Sequence, residues 1–215
     1  MFDFIKTNNK YLNPNTLEKN PLLSFQTTVD SEGVIKHKIA EYNSLKFKFL
    51  DEKYININGS VHKYFNSGLH NYNDFTIPNL VEVFADLSLK FDLNPLLASL
   101  HNLEFGVNVI VPYATNRLLN SIISYKGKEY EVERYNGKGY LLRFSFDHYD
   151  LKIYNKGMQY KQTENILRFE IRVKRMEYFR TRDINIKYLS DLLNTDNYSM
   201  LRTYLLKAFN DILIY

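Results

Sequence analysis

Residues 165–174 read NILRFEIRVK, and this run decides the fold. Leu167, Phe169, Ile171 and Val173 fall on one face of an extended chain, and Arg168, Glu170, Arg172 and Lys174 on the other. That period of two belongs to a strand. It recurs upstream in 101–111 (HNLEFGVNVIV), where Leu103, Phe105, Val107, Val109 and Val111 alternate with Asn102, Glu104 and Asn108. It recurs again where Leu45, Phe47 and Phe49 alternate with Lys46 and Lys48. Runs 128–135, 139–147 and 150–156 join 165–174 in an antiparallel meander, with a turn at Asn136-Gly137. Tyr54–Ile57 is a further extended run, expected to turn at Asn58-Gly59 and return as a strand over Val61–Phe65.

Helical spacing appears in three places. Thr76 caps a helix over 77–91, with Pro78 in its first turn and Leu80, Val83, Phe84, Leu87 and Phe91 on one face. One more helical turn is expected at 96–100, a second helix at 116–124 and a helical C-terminus through Leu201, Leu205, Phe209 and Ile212. Residues 66–75 form a polar loop. Residues 1–24, with Pro14 and Pro21, read as an irregular N-terminal arm ahead of a single domain over 25–215. The fold class is α+β, a largely antiparallel central sheet with helices packed on one face.

At 45% apolar and 24% charged residues over 215 positions, the composition suits a globular core and excludes a disordered tail, a collagen or a coiled-coil rod. The net charge of +4 permits an anionic partner without requiring one. The absence of cysteine excludes disulfides, thiolate metal sites and a cysteine nucleophile. No stretch has the length and apolarity of a membrane span, and the first residues lack a signal-peptide core. The expected location is therefore the cytoplasm, that of the host if the gene is carried by a phage.

The polar strand faces are where chemistry can sit. Arg168, Glu170 and Arg172, Asp150, Lys152, Tyr154 and Lys156, and Glu104 with Asn108 can meet on one surface. Carboxylates bind hard divalent cations such as Mg²⁺ or Mn²⁺. Lysine and arginine bind phosphate oxygens, and a tyrosine can attack phosphorus. A solvated antiparallel sheet carries the same alternation, so pattern alone leaves both readings open. Of the five histidines, His70 in the Asn-rich loop is the most suggestive, because loops carry function. No phosphate loop, dinucleotide fingerprint, zinc-protease motif or nucleophile elbow is present.

The run Leu151-Lys-Ile-Tyr-Asn-Lys156, followed by Ile166-Leu-Arg-Phe-Glu-Ile-Arg-Val-Lys174, resembles phage and plasmid rolling-circle replication initiators related to the filamentous-phage gene II product. Asn58–Asn66 with His70–Asp74, and His101–Asn108, are similar to further segments of that group. The resemblance implies a protein that nicks and rejoins single-stranded origin DNA through a tyrosine and a divalent metal, Mg²⁺ or Mn²⁺. It implies Glu104 and Glu170 as metal ligands, with Asp150 a further candidate. Lys152, Lys156, Arg168 and Arg172 would contact phosphate, joined by Lys46, Lys48, Lys63 and His70 along the DNA. The nucleophile would be Tyr154, Tyr160 or Tyr178. The group's paired metal histidines are absent, and Gln159 stands where an acidic residue often follows. A chain shorter than its relatives could keep the DNA-binding fold and lose catalysis. The alternative is thus a non-catalytic module that binds DNA or a replication or host protein.

Overall fold

The structure, a computed structural model, describes residues 1–29, 31–32, 35–49, 54–134 and 140–215. In chain order the elements are β1 (Phe2–Asn9), α1 (Pro14–Glu18), β2 (Gln26–Val29), β3 (Ile35–Tyr42), β4 (Leu45–Phe49), β5 (Ile55–Ser60), α2 (Val61–Phe65), α3 (Ile77–Phe91) and β6 (Ser99–Ile110). There follow α4 (Thr115–Ser121), β7 (Ile122–Tyr125), β8 (Glu131–Arg134), β9 (Tyr140–Ser145), β10 (Tyr149–Asn155), α5 (Lys156–Gln159), β11 (Ile166–Val173), α6 (Glu177–Arg180), α7 (Thr195–Asn210) and β12 (Ile212–Ile214). A 3-10 turn at Leu189–Leu193 leads into α7.

Ten strands make one antiparallel sheet in the order β2-β3-β4-β5-β1-β6-β11-β10-β9-β8. This is the expected α+β class, and β9, β10 and β11 lie where the alternation put them. One face is apolar: Phe47, Ile57, Leu103, Leu151, Phe169 and Ile171 are each at most 2% exposed. Burying such a face is the main favourable term in folding. Helix α3 covers one half of it, with Phe91 packed 4.8 Å from Phe47. It starts where expected: the Thr76 hydroxyl accepts from the Asn79 amide in a capping box. Helix α7 covers the other half, with Phe209 at 5.5 Å from Phe169.

Several expectations are corrected. The N-terminal arm over 1–24 is not irregular: Phe2–Asn9 is β1, paired with β5 on one side and β6 on the other. Its alternation is broken by register shifts at Phe2/Ile5 and Lys6/Thr7, so no clean period of two marks it in the sequence. Val61–Phe65 is a helix, because the Ser60 hydroxyl accepts from the Lys63 amide and caps it. Asn58-Gly59 does not turn a hairpin. Gly59, at φ +149°, instead continues β5 hard against β4, where a Cβ would lie 2.0 Å from the Ser44 carbonyl oxygen. The helical turn expected at 96–100 gives way to β6 from Ser99, and the helix expected to 124 stops at Ser121. There the chain enters β7, which pairs with β12 in a separate two-stranded sheet. The Asn136-Gly137 turn lies outside the described residues.

An N-terminal arm could be removed with little effect; a central strand cannot. Deleting residues 1–9 should abolish the cooperative urea transition followed by circular dichroism. A deletion variant that still unfolds cooperatively would show that the sheet closes without β1.

Candidate active site

The sheet's other face carries the charges. Register sets them against each other: Glu170 of β11 faces Lys152 of β10 on one side and Gly106 of β6 on the other. Arg172 faces Glu104, and Arg168 faces Asn108. Gly106 makes room at the centre, since a Cβ there would sit 2.6 Å from the Glu170 Cβ. Asp3 joins from β1.

The contacts form one network. Lys152 Nζ donates to Glu104 Oε1 at 2.8 Å and Glu170 Oε1 at 3.4 Å. Arg168 Nε donates to Glu170 Oε2 at 2.8 Å, and its Nη2 reaches Asp3 Oδ2 at 3.4 Å. Arg172 Nε lies 3.4 Å from Glu104. Ser60 donates to Asp3 from one side, and Asn71 Nδ2 donates to it from another at 2.5 Å.

Burial and neighbours split the two glutamates. Burial opposes charge on Glu170, but Arg168 and Lys152 outweigh it and hold the carboxyl at about 2. Glu104 is pushed up, first by burial and then by the charge of Glu170. Burial works against the charge of Lys152 as well, yet Glu170 and Glu104 hold it above the ordinary lysine value. Lys156 is drawn down to about 8 by burial.

Among the described residues, Asp3, Glu104 and Glu170 form the acidic group able to hold a metal, with ligand oxygens within 4.8 Å of one another. Three oxygen donors from three strands are the hard donor set that suits Mg²⁺ or Mn²⁺. Burial and then the charge of Glu170 raise the Glu104 carboxyl, and a dication would favour its ionised form. In donor chemistry the group fits.

Tyr160, at the end of α5, stands beside this network. Its hydroxyl donates to Asn71 Oδ1 at 2.7 Å, so Asn71 links Tyr160 to Asp3. Lys156 and Lys63 lie 5.2 and 5.9 Å from its ring centre. Tyr72 packs against it at 5.3 Å, and His70 stacks on Tyr72 at 4.2 Å. Asn108 closes the loop onto the sheet, donating to the Asn71 and Tyr72 carbonyls.

The other candidates separate. Tyr154 is buried, with Lys156 Nζ at 3.3 Å from its hydroxyl. Tyr178 belongs to an aromatic cluster with Tyr149 and Phe179, beneath Arg182, where burial raises its hydroxyl. Tyr149 shares the apolar face of β10 with Leu151, so Tyr178 is on the side away from the carboxylates. Asp150 is taken up by Lys174 and Ser145, each at 2.8 Å, and lies outside the acidic group. Lys152, Lys156 and Arg168 are at most 6% exposed. Lys152 and Arg168 are engaged by carboxylates set beside them by register, and α5 and the 66–75 loop overlie this charged face. Arg172 stays partly open. Lys63 and His70 lie beside Tyr160, whereas Lys46 pairs with Glu41 and, with Lys48, sits on β4, beyond β5 and β1. Sequence reasoning missed Asp3 and Asn71. The run Phe2-Asp3-Phe4-Ile5 was the available signal for Asp3; Asn71 had none beyond its loop.

No family model and no curated protein matches the chain. Among solved structures, the chain is similar to a rolling circle replication initiator protein from Geobacillus stearothermophilus. The two are 14% identical, with a TM-score of 0.48, over 81% of this chain and 74% of that one.

His62 is fully buried, its Nε2 paired with Asn73 Oδ1 at 2.8 Å, and burial lowers it to about 4. The unfolded chain therefore takes up this proton first. The stability that neutral His62 contributes is full above pH 6.5 and is lost as the pH falls toward 4, on the order of 2 kcal/mol. Glu170 adds a second loss that begins below pH 4.5. His62→Gln should flatten the unfolding free energy between pH 6.5 and 4.5, as read from urea midpoints. An unchanged slope would mean that His62 titrates alike folded and unfolded.

Proposed function

We propose that the chain is a replication-initiator-like protein that binds single-stranded DNA and cuts and rejoins one strand through Tyr160. Asp3, Glu104 and Glu170 would hold Mg²⁺ or Mn²⁺, which when bound would polarise the scissile phosphate. The observation that carries the reading is the Tyr160–Asn71–Asp3 chain, which ties a partly buried tyrosine to three clustered carboxylates. The sequence resemblance over Leu151–Lys156 and Ile166–Lys174 points the same way.

The residues divide the work. Lys63 and Lys156, beside the Tyr160 ring, put positive charge where phosphate oxygens would arrive. His70 and Tyr72 add aromatic surface beside it, suited to unpaired bases. Asn71 orients the phenol. Attack by the Tyr160 oxygen would form an oxygen–phosphorus bond to the 5′ phosphate and break the bond to the 3′ oxygen. The phenol proton passes to solvent, and the 3′ oxygen takes one up to leave as a hydroxyl. Reversal would rejoin the strand. Among the described residues no helix is long and apolar enough to cross a membrane. The proposed setting is the cytoplasm, that of the host if the gene is carried by a phage.

A second reading draws on the same network. Lys152 and Arg168 already neutralise the carboxylates, as they would in a DNA-binding module without catalysis.

Incubation with single-stranded DNA from the flanking genome and Mn²⁺ should yield a protein–DNA adduct that survives denaturation and is lost with EDTA. Tyr160→Phe should abolish the adduct, whereas Tyr154→Phe and Tyr178→Phe, if folded, should retain it. An adduct that persists in Tyr160→Phe would overturn the assignment. A retarded band with no adduct in any variant would favour the non-catalytic module. Glutamate variants should be Gln rather than Ala, because Gln keeps an oxygen that can accept from the buried Arg168 and Lys152, whereas Ala leaves both donors short of a partner.

A further inference from the structure

The Lys152 ammonium lies between Glu104 and Glu170, at 2.8 and 3.4 Å from their Oε1 atoms. Those carboxylates, with Asp3, make the acidic group. We infer that Lys152 holds the place of the divalent cation, so that the ion enters only as this ammonium leaves the two glutamates. The inference rests on the metal reading of the same site and adds a competitor to it.

Charge and space both argue for it. Burying clustered carboxylates without a counter-charge is costly, so a metal-free state needs an internal cation to hold them together. Arg168 serves Glu170 and Asp3, and Arg172 approaches Glu104 from the rim. Lys152 alone among these bridges Glu104 to Glu170. The two glutamates stand on β6 and β11, which are adjacent, and Lys152 reaches them from β10 across Glu170. A dication bound there would compete with the ammonium for the same two carboxylates and would repel it. Lysine suits this role better than arginine, because a single point charge on a flexible stem can withdraw.

Lys152→Met and Lys152→Gln should therefore bind Mn²⁺ more tightly than the unchanged protein, by roughly tenfold or more in titration calorimetry. Without metal both variants should melt lower, by roughly 5 °C or more. Added Mn²⁺ should raise their melting temperature further than that of the unchanged protein. The inference is overturned if the unchanged protein binds Mn²⁺, Glu104→Gln loses that binding, and both lysine variants bind no more tightly. If neither the unchanged protein nor either folded lysine variant binds Mn²⁺, the metal reading fails and takes this inference with it. Gln is the safeguard against a fold too weakened by Met, since it keeps a hydrogen-bond donor at the position.

Discussion

The structure hangs on a buried ladder of opposite charges laid across its central strands. Glu104 of β6, Lys152 of β10, Glu170 and Arg168 of β11 and Asp3 of β1 touch in that order. Each of these residues is at most 8% exposed. Charges removed from water are tolerated only when each finds a partner, and here every rung supplies one. The ladder also pins register. A one-residue slip of β11 would turn Arg168 and Glu170 into the apolar face against α7 and bring Phe169 and Ile171 out among the carboxylates.

The same constraint accounts for the odd placement of the N-terminus. A strand between β5 and β6 is needed to continue the sheet, and Asp3 on that strand is needed to satisfy the second arm of Arg168. Ser60 then serves twice, capping α2 and donating to Asp3. Helix α2 in turn carries Lys63 toward Tyr160, and the 66–75 loop brings Asn71 between Tyr160 and Asp3. Site and scaffold are one hydrogen-bonded unit. Gly106 keeps the centre open, since any side chain there would collide with Glu170.

The two glutamates show how position divides like groups. Glu170 lies deepest, with arginine and lysine both on it, and stays ionised. Glu104 takes the shorter contact with Lys152, at 2.8 Å, and meets the partly open Arg172, yet burial and the charge of Glu170 push it up. Lys152 is the bond between them.

Alternation alone determined β4, β9, β10 and β11, the body of β6 and the amphipathic helix α3. A period of two or 3.6 is a local property of the chain, and core burial rewards it directly. That carboxylates and cations gather on one face of the strands along 101–174 was legible for the same reason; that Lys152 and Arg168 are taken up by those carboxylates was not. The sequence did not disclose that the charged face is covered, because covering it is the work of α5 and the 66–75 loop, which are distant in the chain from one another. Nor did it disclose Asp3: register shifts break the period of β1, and its two partners, β5 and β6, lie about 50 and 100 residues away. The choice of Tyr160 over Tyr154 and Tyr178 is likewise tertiary. All three are tyrosines in plausible runs, and only packing decides which phenol stands beside Asn71, which is buried beneath Lys156 and which is turned to the opposite face.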